Sequence, residues 1–375
     1  MIYLDYSATT PVSYEALESY IRVTKDFPGN PNSLHSLGVK SKALLNSAIK
    51  QISEIFNILE SEITFTSGAT ESNNMALIGV CKAYEKVGKH IVVSKLEHPS
   101  IYKICDYLEK EGFEISYVNN NSDGLVDFND LKNKIRPDTI LVSICAVNSE
   151  VGIRNPLKMI RQIIHKENPN TLLFSDMTQA LGKVSINLHD VDLATFSGHK
   201  IYGPKGIGML YVNSTVRIEP IIHGSGKSNM LKPGTPALPL IVSFAKAIRL
   251  CTIDIEKREN FIKRLNDMLI KEFSKYDGII INHSNICIPH ILNISLKNIK
   301  SETFLHALEE YEIYVSTSTA CSSNALSLAV MALYNDKKRA SSTLRISLSH
   351  LTTTEEINKF IACFKLVYDK LNLLN

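Results

Sequence analysis

The sequence predicts an α/β protein in which a mostly parallel, seven-stranded sheet is flanked by helices and followed by a smaller α+β unit. The main observation is that short β-branched runs alternate with amphipathic stretches between about residues 62 and 212. Strands that alternate with helices form βαβ units, which build parallel sheets with right-handed crossovers. The second observation is length, because a chain of 375 residues can bury a large core and usually divides into two domains.

Seven runs rich in apolar and β-branched residues are the candidate strands of this sheet. They cover residues 63–66, 91–94, 114–118, 140–144, 172–175, 193–196 and 208–212. Apolar residues at helical spacing predict helices between several of these strands, for example over 72–86 and 100–110. After Pro239 a long helical pattern runs to about Tyr276, and its charged stretch at 256–259 is typical of a solvated helix face.

The remainder of the chain has the pattern of a smaller α+β unit. Strands are predicted over 291–295 and 344–349, and helices over 302–311 and 355–371. We expect residues 16–250 to form a large domain that holds the binding site described below. Residues 1–15 and 251–375 are expected to form a small domain, with a mobile loop at about 316–328.

Composition and charge exclude several classes of protein. The fractions of hydrophobic residues, 44%, and charged residues, 21%, are ordinary for a soluble globular chain. A net charge of +3 is too small to favour nucleic acid or an anionic membrane as a partner. No apolar run is long enough to span a bilayer, and the first residues lack the pattern of a signal peptide. We therefore expect a cytoplasmic protein without direct contact to nucleic acid or membrane.

The seven cysteines are scattered along the chain and include no Cys-x-x-Cys pair. This pattern argues against a disulfide framework or a structural metal site, and it favours a reducing compartment. Most of the cysteines are predicted to be small buried core residues. Cys321 differs because it lies in a run of small polar residues, 316–323, that cannot anchor itself in a core. An exposed thiol in such a loop can act as a nucleophile once it is ionised.

A lysine and an acid that follow two predicted strands point to the chemistry of the site. Lys200 ends the run Ser197-Gly198-His199-Lys200, and Asp176 directly follows the strand predicted at 172–175. Ligands of parallel sheets bind beyond the carboxyl ends of the strands. Pyridoxal phosphate needs a lysine that bonds its aldehyde and an acid that keeps its ring nitrogen protonated. The sequence therefore predicts a pyridoxal phosphate site at this edge of the sheet.

Other polar residues after strand ends are candidates for contacts with this cofactor. The turn 66–74 joins a strand to a helix, where backbone N–H groups and the Thr70 hydroxyl could approach a phosphate. Ser197 and His199 could donate further hydrogen bonds to it. His98 could stack on the ring and move protons, and Gln179 could bond the ring's 3′-oxygen.

Arg345 is a single arginine inside a predicted strand. Its guanidinium fork suits a bidentate grip on the α-carboxylate of an amino acid. A paired arginine of the core is the alternative interpretation of the same pattern.

Four segments, in order along the chain, resemble the NifS/IscS-type cysteine desulfurases, which belong to the class V aminotransferase group of fold-type I pyridoxal phosphate enzymes. The segments are 29–35, 66–74, 197–208 and 316–323, and the resemblance extends from residue 3 to residue 356. It implies the fold-type I architecture, a homodimer and the conversion of L-cysteine to L-alanine. The sulfur would move to Cys321 as a persulfide and then to an acceptor protein, either an iron–sulfur scaffold or a tRNA-thiolation enzyme.

The resemblance also implies a role for each matching residue. The residues with catalytic roles are Lys200, Cys321 and His98. The cofactor contacts are Ala69, Thr70, His98, Ser149, Asp176, Gln179, Ser197, His199, Lys200 and Thr235. Thr235 would reach the phosphate of the partner subunit. The substrate contacts are Arg345 and Asn32.

The sequence departs from the family pattern at positions near the expected site. Ser149 stands where most relatives have an asparagine that touches the cofactor. The Gly-rich segment 223–235 keeps Thr235, but Lys227-Ser228 replaces a Gln/His-Glu pair and Lys232 replaces an arginine.

Two other functions are compatible with the same residues. The first is another pyridoxal phosphate reaction on this fold, carried out by a β-lyase or an aminotransferase. The second is a degenerate, non-catalytic paralogue that acts as a binding partner. The sequence argues against a Rossmann dehydrogenase, since no Gly-x-Gly-x-x-Gly opens a helix after the first strand.

Overall fold

A computed structural model describes residues 1–225, 230–282, 284–317 and 326–372. The helices are α1 (Tyr14–Asp26), α2 (Ser36–Phe56), α3 (Ala69–Tyr84), α4 (Pro99–Lys110), α5 (Phe128–Lys134), α6 (Leu157–Glu167), α7 (Leu238–Cys251), α8 (Ile255–Phe273), α9 (Ser301–Glu309), α10 (Leu328–Tyr334), α11 (Lys337–Ser341) and α12 (Thr354–Asn372). The strands are β1 (Ile2–Tyr3), β2 (Ile63–Thr66), β3 (His90–Ser94), β4 (Glu114–Val118), β5 (Thr139–Ser143), β6 (Leu172–Asp176), β7 (Leu193–Ser197), β8 (Gly208–Val212), β9 (Ile279–Ile281), β10 (Ile291–Leu296), β11 (Ile313–Tyr314) and β12 (Thr343–Ser347). Within these ranges, no helix combines the length and the apolar character needed to cross a membrane.

The predicted seven-stranded sheet is confirmed, with the strand order β2-β8-β7-β6-β5-β3-β4. All seven candidate strands are present, and each of their ends lies within one residue of the prediction. The five strands from β7 to β4 run parallel, whereas β8 runs antiparallel to both β7 and β2. Six strands therefore end at the same edge of the sheet, and the polar residues that follow them meet there.

Both faces of this sheet are buried, which explains why its strands are nearly continuous apolar runs. Side chains alternate between the faces along a strand. Val92 and Val142 point into a core shared with α1, α2 and α7. Ile91, Val93 and Leu141 point into a second core, under α3 and α4. The site at the sheet edge is thus supported by packed layers on both sides.

A second, antiparallel sheet has the order β12-β10-β9, and the short strand β1 pairs with β11. Its core contains Phe273, Phe360 and Phe364 of the surrounding helices. Ile2 and Leu4 belong to the same core, so the beginning of the chain packs against its final third. The predicted domain division, 16–250 against 1–15 with 251–375, stays a prediction.

The long helical pattern after Pro239 is divided in the structure, so the prediction of a continuous run is wrong. Helix α7 ends at Cys251, and α8 begins at Ile255. Asp254 between them has a φ of 54°, in the left-handed region, which does not continue a helix. The Arg258 guanidinium donates to the carbonyls of Leu250 (3.2 Å) and Cys251 (3.4 Å). Hydrophobic periodicity does not detect such a local break.

The six cysteines in the described ranges are free thiols. Five of them are buried, as predicted for small core residues: Cys81, Cys105, Cys145, Cys251 and Cys363. Cys287 is partly buried. Cys321 lies outside the described residues.

Candidate active site

The carboxyl-end edge of the large sheet borders a cavity of about 610 Å³. Turns that follow β2, β3, β5, β6 and β7 meet here, together with the segment after β1. Most of the residues predicted for the site line this cavity, namely Ala69, Thr70, His98, Ser149, Asp176, Gln179, Ser197, His199, Lys200 and Arg345. The structure therefore brings together residues that are separated by up to 276 positions in the sequence (345 − 69).

Three predicted site residues are not part of this cavity. Asn32 is exposed and does not line it. Thr235 borders an adjoining groove of about 370 Å³, which shares Ser67 and Gly206 with the cavity. Cys321 is outside the described residues. The roles of these three residues stay predictions.

Lys200 follows β7 in a single 3-10 turn, and its amine is held inside the cavity. Its Nζ donates to the backbone carbonyls of Ser7 (2.5 Å) and Ala8 (2.7 Å). Burial, and secondly the nearby Arg345 guanidinium, lower the pKa of Lys200 to about 8. The nearby Asp176 carboxylate acts in the opposite direction. A buried amine with a lowered pKa is a better nucleophile at neutral pH.

Asp176 is the last residue of β6 and is buried. One carboxylate oxygen accepts the Thr178 N–H at 2.9 Å, and the other accepts from Nδ2 of Asn73 at 3.2 Å. Within the described residues its carboxylate forms hydrogen bonds but no ion pair. A buried carboxylate held in this way at a cavity wall suits a cationic ring nitrogen.

His98 caps the first turn of α4 and is connected to Asp176 by hydrogen bonds. Its Nδ1 accepts the Ser100 N–H at 3.2 Å, so the neutral ring carries its proton on Nε2. Ser100 Oγ lies 2.9 Å from Nδ1 and accepts from Nδ2 of Asn73 at 3.0 Å. Desolvation and the charge of Lys200 lower the pKa of His98, despite the opposing effect of Asp176. His98 is therefore a neutral imidazole near pH 7.

The turn between β2 and α3 comes unusually close to β8. A Cβ atom on Gly208 would lie 2.6 Å from the Cα of Gly68 and 2.5 Å from the carbonyl oxygen of Phe196. Only glycine fits at such a contact, because backbone atoms cannot give way. Gly68 provides no side-chain cap for α3, and the hydroxyl-bearing residues Thr70 and Ser197 line the same part of the cavity. The start of α3 thus suits a phosphate group.

His199 adds a neutral imidazole to the cavity wall. Its Nδ1 lies 3.2 Å from Oγ1 of Thr9, and its backbone carbonyl accepts the Thr10 N–H at 2.8 Å. Burial, followed by the charge of Lys200, lowers the pKa of His199 to about 4. The ring can therefore take part in hydrogen bonds without bearing charge.

Lys232, one of the departures from the family pattern, forms an ion pair with Glu71 in the first turn of α3. The other Glu71 oxygen accepts the Ser67 N–H at 2.6 Å. Burial raises the pKa of Glu71, but the hydrogen bonds from Lys232 and Ser67 outweigh it and lower the pKa. Lys232 thus keeps a cation beside the turn, whereas Lys227 and Ser228 lie outside the described residues.

Arg345 lies in β12, and its guanidinium reaches the cavity wall. It donates to Oδ1 of Asp5 at 2.9 Å and to the carbonyl of Ser149 at 3.1 Å. The backbone N–H of Arg345 donates to the Ser316 carbonyl at 2.7 Å. Arg345 therefore joins the beginning of the chain, the turn after β5 and the segment that leads to Cys321.

The residues on both sides of the segment that contains Cys321 are bonded beside the cavity. On one side, Ser316 pairs with Arg345 through its backbone. On the other side, the Ser327 hydroxyl donates to Oε2 of Glu150 at 2.5 Å. Glu150 directly follows Ser149, which lines the cavity. A chain anchored at these two points begins and ends near the cavity wall.

Sequence reasoning missed several residues that build the site. Glu97 is buried, and its Oε1 accepts the Cys145 N–H at 2.6 Å. Burial, followed by the charge of Asp176, raises the pKa of Glu97 to about 8. Asn73 donates to Asp176 and to Ser100, which is bonded to His98, and Ser7 holds Lys200 with its carbonyl. The only sequence signal for Glu97 is that it precedes His98 in the chain. Asn73 and Ser7 have the pattern of ordinary helix or loop residues.

Comparison with known proteins agrees with this geometry. Residues 2–360 match the model of the aminotransferase class-V family. The chain is 38% identical over 385 residues to the cysteine desulfurase IscS of Buchnera aphidicola subsp. Baizongia pistaciae, which covers 100% of this chain and 93% of the relative. A solved NifS-like protein matches with a TM-score of 0.93 at 34% identity, over 99% of each chain. SspA, solved in complex with cysteine, matches with a TM-score of 0.82 at 29% identity, over 94% of this chain and 100% of its own. The chain therefore belongs to the aminotransferase class-V family, among its NifS/IscS-type cysteine desulfurases, as its sequence motifs predict.

Proposed function

We propose that the protein converts L-cysteine to L-alanine and takes up the sulfur on Cys321 as a persulfide. The observation that carries this proposal is that Ser316 and Ser327, which flank the Cys321 segment, are both bonded beside the cavity of Lys200. The described residues on both sides of this segment therefore lie beside the cavity that would hold a substrate. Membership in the family of cysteine desulfurases supports the same reaction.

The cofactor of this family is pyridoxal phosphate, and the residues of the cavity fit it. The Lys200 amine suits the aldehyde, the buried Asp176 carboxylate suits the ring nitrogen, and the start of α3, where Gly68 carries no side chain, suits a phosphate. Thr70 and Ser197 offer hydroxyl groups at the same end. When bound, the cofactor withdraws electrons from the α-carbon of an amino acid.

Each cavity residue has a proposed task in the reaction. Lys200 would hold the cofactor at its aldehyde, and its neutral amine would take the proton from the α-carbon of the substrate. The buried Asp176 carboxylate would hold the ring nitrogen of the cofactor. His98, neutral and protonated on Nε2, would donate a hydrogen bond from Nε2 to the substrate sulfur. Arg345 would bind the α-carboxylate of the substrate, and Gln179 would hold the 3′-oxygen of the cofactor.

The sulfur transfer balances without an external oxidant. The Cys321 thiolate attacks the substrate sulfur, an S–S bond forms, and the substrate C–S bond breaks. The electron pair of that bond goes to the substrate β-carbon, which is protonated and becomes the methyl group of alanine. One cysteine and one protein thiol thus yield one alanine and one persulfide.

We further propose that the persulfide passes to an acceptor protein for iron–sulfur cluster assembly or tRNA thiolation in the cytoplasm. A homodimer is proposed as well. Leu34 is 97% and Tyr14 76% exposed, and exposed apolar residues of this size are typical of contact surfaces. Thr235 borders an open groove in the single chain, which supports a position near a partner subunit. Asn32 is proposed to contact the substrate.

The test is the release of alanine and sulfide from L-cysteine in the presence of dithiothreitol. We would compare the wild type with C321A and K200A, each loaded with pyridoxal phosphate. The matched control is C363A, because Cys363 is buried in α12 in another core. We expect equal amounts of alanine and sulfide from the wild type and C363A, and a loss of both products in C321A and K200A.

Two outcomes would contradict the proposal. If C321A keeps its turnover of cysteine, the enzyme is a β-lyase or an aminotransferase that needs no protein thiol. If the wild type binds the cofactor but releases neither product, the non-catalytic binding partner becomes the better interpretation.

A further inference from the structure

Lys183 is a buried lysine that the proposed reaction does not use. It lies four residues after Gln179, on the consecutive turns that follow β6, and only 8% of its surface is exposed. Its Nζ donates to Oε1 of Gln179 at 3.0 Å. Within the described residues, no carboxylate is among the charges that act on it. Burial of an amine without an acidic partner is costly, so this position calls for an explanation.

The amide orientation of Gln179 follows from the partners on its two sides. The Ser7 carbonyl can only accept, so the amide nitrogen of Gln179 must face it, at 2.9 Å. The amide oxygen then faces Lys183, which donates to it. The same Ser7 carbonyl also accepts from Nζ of Lys200. A continuous chain of hydrogen bonds thus connects the two lysines, and one N–H of the amide is left for the cavity.

We propose that Lys183 is a positioning residue that acts on the cofactor through Gln179. Its hydrogen bond fixes the amide of Gln179 against Ser7 and polarises it, so that the remaining amide N–H donates to the 3′-oxygen of the cofactor. This inference rests on the proposed function, in which Gln179 contacts that oxygen. A polarised donor stabilises the anionic form of the oxygen, so the oxygen attracts a proton on the neighbouring linkage nitrogen less strongly. The hydrogen bond from Gln179 therefore lowers the pKa of the nitrogen that joins Lys200 to the cofactor.

The surroundings of Lys183 favour this role. A small cavity of about 20 Å³ lies behind it. Its titratable lining residues are Lys183, Lys200, Cys251, Arg258, His290 and His350, with two tyrosines. Burial, followed by the charge of Lys200, lowers the pKa of Lys183 to about 7. The charged and neutral forms of the Lys183 amine are therefore similarly populated near neutral pH. An anionic oxygen beyond Gln179 would favour the charged form.

The test is a pH titration of the visible absorption band of the cofactor–lysine linkage in the loaded enzyme. Four variants are compared with the wild type: K183M, Q179L, the double variant, and K166M as an exposed lysine on α6. Met is close to Lys in shape, and an apolar replacement of a buried charge is usually tolerated. We expect the pKa of the linkage to rise by roughly one unit in K183M and in Q179L. K166M should titrate like the wild type, and the double variant should rise no further than Q179L.

The proposal is overturned if K183M titrates like the wild type, or if its shift is equally large in the Q179L background. Failure of the proposed function gives a different result. In that case the absorption band of the cofactor–lysine linkage is absent in the wild type or persists in K200A. A crystal structure of cofactor-free K183M tests the positioning step alone. We expect the amide of Gln179 to leave Ser7 and turn into the cavity, and an unchanged amide would overturn this step.

Discussion

Lys200 should react with pyridoxal phosphate near neutral pH because part of its amine is already deprotonated. Its environment lowers the pKa of Lys200 from 10.5 to about 8. At pH 7 about 10% of such an amine is neutral, against about 0.03% for an ordinary lysine. The fraction of reactive amine is therefore roughly 300-fold larger than in an exposed lysine.

Replacement of Arg345 by Met should reverse part of this effect. After burial, the Arg345 charge is the largest contribution that lowers the pKa of Lys200. Removal of the guanidinium also frees Asp5, which favours the protonated amine. Both changes raise the pKa of Lys200, and we expect a rise of about one unit. The neutral fraction of the Lys200 amine at pH 7 should then fall by about tenfold. The matched control is R264M, which removes an exposed arginine of α8.

The assay is the rate at which cofactor-free protein gains the absorption band of the lysine linkage, measured from pH 6 to about pH 10. The reaction of the same cofactor with a free amine corrects for the titration of the cofactor itself. We expect the rate of the wild type and of R264M to reach half its maximum near pH 8 and that of R345M to do so at higher pH. A midpoint near pH 10 in the wild type, or an unchanged midpoint in R345M, would refute the reasoning.

Three further predictions follow from the same contacts. Gly208→Ala should reduce the free energy of unfolding by about 1–3 kcal/mol and weaken retention of the cofactor, because the new Cβ would meet backbone atoms. Urea unfolding measures the stability, and dialysis measures the retention of the cofactor. A variant as stable and as well loaded as the wild type would contradict the contact. Ser100→Ala should raise the pKa of His98 toward its ordinary value, because the neutral ring loses a hydrogen-bond partner; an NMR titration that shows no change, or a fall, would be evidence against the network. Burial lowers the pKa of His290 from 6.5 to about 3, so its stabilising effect is present above pH 6.5 and is lost on acidification toward pH 3, by about 1.4 kcal/mol per pH unit. His290→Asn should flatten the fall in unfolding free energy over that range, and an identical pH profile would refute this assignment.

Much of the site could be predicted because of where residues stand relative to strand ends. Lys200 and Asp176 follow short apolar runs, and strands that run parallel carry such residues to the same edge of the sheet. The buried character of both sheet faces made the strands visible as continuous apolar runs. The family motifs then supported the roles proposed for His98 and Gln179, whose positions in loops have no distinctive pattern of their own.

The supporting contacts could not be predicted, because they join residues that are far apart in the chain. Ser7 and Lys200 are separated by 193 positions, and Asn73 and Asp176 by 103. A single sequence carries no signal for such a pair. The break before α8 was missed for a different reason: the left-handed conformation of Asp254 is a local backbone event that leaves the apolar period unchanged.

The most direct test of the central claim is a single turnover of L-cysteine without reductant, followed by mass spectrometry of the intact chain and its peptides. The account predicts one alanine per chain and one additional sulfur atom, located on Cys321. Alanine or another product without protein-bound sulfur, or a sulfur atom found on a different cysteine, would contradict it.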